Sequence, residues 1–255
     1  MKRSAVTIGG RAHTLAEVHE VGRLGLPFVE MSLEEPETVL RWIPTLLEMK
    51  EIYGISYLAH FPNEDNPFDV GILKERFVPR IKALTDLSRQ LGIDKATMHF
   101  WIDKRWAPEG LIPQKLELLK EMVGYASKAD IVICIENLSE RYDSFQTAFE
   151  AIGNLRMTLD IGHAQLLAKV NTSYRFIDNC PEKIAHVHVH DNHGGTSVKD
   201  DLHLALGEGS VDFQAIISSL LGTGYDSTIT MEVKPVDIPR TRKALEGCIS
   251  FAGPP

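Results

Sequence analysis

Histidine, aspartate and glutamate recur in this chain at the ends of short apolar runs. His60 closes "SYLAH", His99 lies in "ATMHF", Glu136 closes "IVICIE", Asp160 closes "MTLD", and Glu232 sits in "TITMEV". The densest case is "HVHVHDN", where His186, His188 and His190 alternate with Val187 and Val189. In a strand, that spacing sends three imidazoles to one face and both valines to the other. Imidazole nitrogens and carboxylate oxygens are ligands for divalent ions. An unpaired carboxylate in an apolar run is costly to bury. Like charges crowded into one place repel unless cations neutralise them. The pattern therefore predicts a divalent-metal site, with Zn, Mn, Mg or Co as the ion.

Two local patterns extend it. "DIGH" sets Asp160 and His163 three residues apart, near enough to line one cavity. "DDLHLALGEGSVDF" sets Asp201 and His203 two apart, facing the same way if the segment is extended. Its "GEG" (207–209) is either a close backbone approach to a ligand or a plain turn before a helix.

Such scattered residues need elements that bring them together. Eight β-type runs are visible, at 5–8, 28–31, 56–60, 96–100, 131–136, 157–160, 184–190 and 228–233, most of them preceded by turn residues. Between them lie amphipathic segments with helical spacing, including 142–152, 165–179, 212–221 and one near 237–251. Strand and helix alternate eight times in roughly 250 residues, which fits an α/β fold of the (β/α)8 TIM-barrel type. No linker-like stretch divides the chain, so residues 1–255 read as one domain. In such a barrel the strand ends converge on one mouth. An open doubly wound sheet competes, but no GxGxxG follows the first strand.

The net charge of −8 argues against a nucleic-acid partner. No apolar run reaches the roughly 18–20 residues of a membrane span. The three cysteines, Cys134, Cys180 and Cys248, are widely spaced and odd in number, which suits a reducing cytoplasm.

The segments "ICIEN", "LDIGHA", "HVHVHDN", "DLHLALGEGSVDF" and "MEV", in this order, resemble the xylose isomerase-like TIM-barrel superfamily. The resemblance runs from about residue 55 to 235 and looks most like the sugar phosphate isomerase/epimerase branch. It implies a shared metal set of Glu136, Asp160, His188 and Glu232. The superfamily also contains endonuclease IV, whose further ligands find matching types here in His60, His99, His163, Asp201 and His203. That implies one ion on the shared set, and as many as three if His60, His99 and Glu136 hold a second and His163, Asp201 and His203 a third. The chain departs from endonuclease IV in "HFP" (60–62), in "HFW" (99–101) and in an acidic "NEDNPFD" (63–69), which would face phosphates badly.

Two activities follow from the resemblance. One is isomerisation or epimerisation of a small sugar or sugar phosphate, with Glu136 and Glu232 exchanging a proton and His163 holding a hydroxyl. The other is zinc-dependent phosphoester hydrolysis, on abasic DNA or a smaller phosphate. Lys234 faces the same way as Glu232 and would steady an oxyanion, or serve as a counter-charge. His190 is expected at the rim, toward substrate or the Asp191 loop, and His186 in the core. Glu30 in "FVEMS" resembles a second-strand glutamate of sugar isomerases, or forms a helix-loop salt bridge. Trp101, Trp106 and Phe61 would wall the substrate or pack a dimer surface.

Overall fold

The computed structural model describes residues 6–251. Eight parallel strands close into a barrel in sequence order, the last pairing with the first. They are β1 (Thr7–Ala12), β2 (Phe28–Ser32), β3 (Ser56–His60), β4 (Lys95–Met98), β5 (Val132–Glu136), β6 (Arg156–Asp160), β7 (Ile184–Val189) and β8 (Thr228–Met231). The helices are α1 (Leu15–Arg23), α2 (Pro36–Tyr53), α3 (Val70–Ile72), α4 (Val78–Gln90), α5 (Leu111–Ser127), α6 (Tyr142–Ala151), α7 (Ser173–Asn179), α8 (Phe213–Gly222) and α9 (Ile238–Phe251). A π-helical turn, Leu73–Phe77, joins α3 to α4. The expected (β/α)8 barrel is what forms.

Alternation along the strands divides the core into two layers. Val29, Met31, Tyr57, Ala59, Ile133, Ile135, Val187, Val189, Ile229 and Met231 are buried in the apolar layer that includes the helix side chains. The other face of each strand lines a barrel interior that is largely polar. Lys95 Nζ donates there to the Ala185 carbonyl and to the Ser227 and Thr228 hydroxyls. Thr97 and Thr158 hydroxyls lie 2.8 Å apart. Register partners share a face, so Asp160 beside His188 and Glu136 beside Thr158 fix which residues look inward together.

Five elements differ in their bounds from the sequence expectation in ways that matter. β1 runs to Ala12 instead of ending at Ile8, which carries Arg11 into the barrel. The helix expected over 165–179 is only Ser173–Asn179. The preceding backbone is committed elsewhere: the Leu167 N–H bonds the Gly195 carbonyl, and the Asn171 side chain spans from the Ile161 carbonyl to the Ser173 N–H. β4, β7 and β8 stop just short of His99, His190 and Glu232, so these three leave the barrel wall as it turns into loop.

Candidate metal centre

Among the described residues, five groups of His, Asp and Glu side chains lie close enough to share an ion, including Glu136, Asp160, His188 and Glu232; His60, His99 and Glu136; and His163, Asp201 and His203, which His190, expected toward substrate, also joins. Glu136 belongs to two of them. One of its oxygens is 3.1 Å from His163 Nδ1 and 3.2 Å from His188 Nδ1. The other is 2.9 Å from His99 Nε2 and 3.4 Å from His60 Nε2. His188 Nδ1 is also 3.2 Å from Glu232 Oε2 and 3.8 Å from Asp160 Oδ2. Asp201 Oδ2 lies 3.1 Å from both His163 Nε2 and His203 Nε2.

The imidazoles are aimed by the nitrogen that faces away from these groups. His60 Nδ1 donates to the Phe61 carbonyl and His203 Nδ1 to the Glu232 carbonyl, while His163 Nδ1 sits between the Asn137 carbonyl and Glu136. His188 turns its Nε2 to Glu30 at 2.9 Å. Metal-binding histidines are oriented in this way, because tying one nitrogen fixes which one is left for the ion. His203 sits at φ +47, a left-handed conformation that is uncommon without a glycine.

Charge within the cluster is balanced internally. Burial works against ionisation of Glu136 and Glu232, but His188, together with His99 and His163 for Glu136 and with Arg11 for Glu232, holds both carboxyls well below the usual range. Burial likewise opposes the His188 charge, and Glu30, Glu136 and Glu232 push it well above the ordinary imidazole value. His163 is raised against burial by Asp160, Asp201 and Glu136. His203 rises to about 9 against burial through Asp201 and Glu232. His60 moves the other way, down to about 4, through burial and the neighbouring Arg11 charge.

Six buried polar atoms in these groups have no hydrogen-bond partner among the described residues: His60 Nε2, Asp160 Oδ2, Asp201 Oδ1, Glu232 Oε2 and both ring nitrogens of His190. Unpaired buried acceptors cost roughly 1–3 kcal/mol each. Cations bound by nitrogen and oxygen within these groups would supply the missing partners, so the residues fit a divalent ion.

Above the groups opens a cavity in two halves that share Asn63, His99, His163 and Asp201. One half, about 360 Å³, is polar and includes Arg11, His13, Glu232 and Lys234. The other, about 750 Å³, is walled by Phe68, Trp101, Trp106, Leu138 and Leu167. Trp101 is fixed by its backbone N–H to Glu64 and its indole N–H to Ser139, with the Phe68 ring 5.1 Å away. Lys234 is exposed on the rim.

Several expectations need correction. Glu30 is no substrate contact and no helix-loop salt bridge: it is fully buried inside the barrel, held by His186 and His188. His190 does not reach the rim. It is fully buried, 3.1 Å from Asp160, with its ring stacked on His203. A side chain at Gly162 would strike that ring at 2.2 Å, which explains the glycine of "DIGH". Phe61 is wholly buried in the apolar core and walls nothing. The "GEG" backbone approaches Asp191 and not a ligand. The Asp191 carboxylate accepts from the N–H groups of Asn192, Gly207, Gly209 and Val211. Sequence reasoning missed Arg11, whose Nε is 3.4 Å from Glu232 and which is 5% exposed. The signal was "TIGGRA", in which paired glycines read as the end of the strand.

Fold and mouth define a class: (β/α)8 barrels whose strand ends gather histidines and carboxylates able to hold divalent ions beneath a substrate-sized cavity. The chain belongs to the xylose isomerase-like TIM-barrel family, whose family model matches residues 18–250. The uncharacterized protein MJ1311 of Methanocaldococcus jannaschii is 27% identical over 208 residues, covering 76% of this chain and 70% of that protein. A solved structure described as a D-tagatose 3-epimerase-like protein superposes with a TM-score of 0.83 at 23% identity, covering 97% of this chain and 98% of that one. The IOLI protein, solved with a binding zinc atom, gives a TM-score of 0.77 at 13% identity over 97% of this chain and 99% of that one.

Proposed function

We propose that the protein is a divalent-metal-dependent isomerase or epimerase of a small sugar or sugar phosphate. The observation that carries this is the Glu136, Asp160, His188 and Glu232 group, whose ligand atoms lie close enough to share one ion and whose Glu232 opens onto the polar half of the cavity. The structures described as a D-tagatose 3-epimerase-like protein and as zinc-binding IOLI support the reading. A bound divalent ion would polarise a substrate carbonyl and acidify the neighbouring C–H. Glu232, held ionised beside His188 and lining the polar half of the cavity, would take that proton. Glu136, from a strand three places away around the ring, would return it. His163, between Glu136 and Asp201, holds a substrate hydroxyl, and Trp101 walls the sugar's apolar side.

A second reading is favoured by one specific observation. Glu136 is 1% exposed, beneath His60, His99 and His163, which suits a carboxylate bridging two ions better than one that touches substrate. Two or three ions would suit phosphoester hydrolysis, by activating a water and stabilising the leaving oxygen. Glu34 and Asp65, paired to Arg80 beside this mouth, disfavour duplex DNA as that substrate.

Metal analysis of the purified protein, with ketose epimerisation followed by proton exchange into deuterated water, tests the choice. One tight ion per chain with exchange at the sugar carbon is expected. Three tight ions, with phosphoester cleavage and no sugar exchange, would overturn the first reading.

A further inference from the structure

Arg11 is a buried basic side chain in the polar half of the cavity, and the metal set does not account for it. It is 5% exposed, and its Nε and Nη1 have no hydrogen-bond partner among the described residues. Glu232 is 3.4 Å away, an ion pair without a hydrogen bond. A guanidinium offers five N–H donors and does not deprotonate, so burying it leaves donors that need further oxygen acceptors. The other carboxylates of this half have partners of their own: Glu17 accepts the His13 N–H, Glu34 pairs with Arg80, and Asp201 Oδ2 lies against His163 and His203. Lys234 stands exposed on the same rim with no ion-pair partner among the described residues. The His13 imidazole, 2.9 Å from the Ser32 hydroxyl, adds a further polar group to this half.

We propose that Arg11 and Lys234 form a subsite for an anionic group of the substrate, a phosphate or a carboxylate, in the polar half and away from Trp101. This rests on the reading of the mouth as a substrate site, and it selects anionic over neutral sugars. Arg11 binds the anion directly. Its closeness to Glu232 sets the anion beside the carboxylate placed to move the proton.

The test is equilibrium binding of inorganic phosphate and, separately, acetate to the metal-loaded protein in a non-coordinating buffer. Wild type is expected to bind at least one of them. Arg11→Gln is expected to weaken that binding at least tenfold, and Lys234→Gln several-fold. Tighter phosphate assigns a phosphorylated substrate, and tighter acetate a sugar acid. Should Arg11→Gln fail to fold, Arg11→Lys keeps the charge but loses the fork, and is expected to weaken binding as well. Binding that is unchanged in the folded Arg11 variants, as direct coordination to metal alone would give, overturns the proposal. So does failure of wild type to bind either ion. Loss of sugar turnover with Arg11-dependent anion binding intact would instead refute the isomerase reading and leave the subsite standing.

Discussion

Loading metal into this site should expel protons in a number that the geometry fixes. In the metal-free cluster His188, His163 and His203 are all raised above the ordinary imidazole value, His203 to about 9. Each therefore carries two N–H groups at pH 7. One is anchored away from the free ligand atoms for His188, Nε2 on Glu30, and for His203, Nδ1 on the Glu232 carbonyl; His163 Nδ1 is held between the Asn137 carbonyl and Glu136. The other points into the ion groups, at Glu136 and Glu232 for His188 and at Asp201 for the remaining two. An imidazole binds a metal only through a deprotonated nitrogen, so the inward proton must leave. His60 has none to give, because burial and Arg11 hold it near pKa 4 with its free Nε2 already bare. Filling only the Glu136, Asp160, His188 and Glu232 group therefore releases about one proton at pH 7 from His188, and filling the Asp201 group displaces about two more from His163 and His203.

Calorimetric titration of zinc into metal-free protein, in buffers of different ionisation enthalpy, reads that number as a slope. The sign also sets the pH dependence. Metal competes with protons, so apparent affinity rises with pH, about tenfold per unit for each proton displaced, until the free-site imidazole is deprotonated. For the His203 group the rise continues to about pH 9. His203→Gln should remove one proton from the total. A slope of zero at full occupancy, or an affinity flat between pH 7 and 9, would refute the charge assignment of the cluster.

Two further outcomes follow from the scaffold around the site. A Cβ at Gly209 would lie 2.3 Å from the Asn192 carbonyl and the Asp191 carboxylate, so Gly209→Ala should cost about 2 kcal/mol in urea unfolding; Gly153→Ala, where a Cβ meets nothing within 4 Å, should fall within about 0.5 kcal/mol of wild type. Lys115 is fully buried on Glu64 and 4.5 Å over the Phe100 ring, and Glu64 in turn holds the Trp101 backbone, so Lys115→Met should destabilise by about 3–5 kcal/mol while Lys115→Met with Glu64→Gln recovers much of it; a double variant no more stable than the single one would show that the pair is not coupled.

How much of this was legible in the sequence depends on what each residue's neighbours disclose. His60, Glu136 and Asp160 could be placed because each ends an apolar run, and a parallel barrel collects such ends at one mouth. Local pattern does not carry depth or the path of the loops. His186, His188 and His190 look alike in "HVHVHDN", yet only His188 faces the shared ion group. His186 sits one layer down on Glu30, Thr228 and Thr230, and His190 leaves the strand and is turned under His203. What decides their fates is Glu30, distant in sequence, and the space left by Gly162. Arg11 was hidden for a related reason. Gly9 and Gly10 resemble a turn, but a Cβ on Gly9 would meet the Phe28 ring at 2.4 Å and one on Gly10 would meet Ile238 at 2.9 Å. They are glycines because neighbours press on a continuing strand, and that strand delivers the guanidinium to Glu232. A charged residue two or three positions past a strand's apparent end is thus the feature to look for in a barrel of this kind, since the barrel wall and not the local turn signal decides where its side chain arrives.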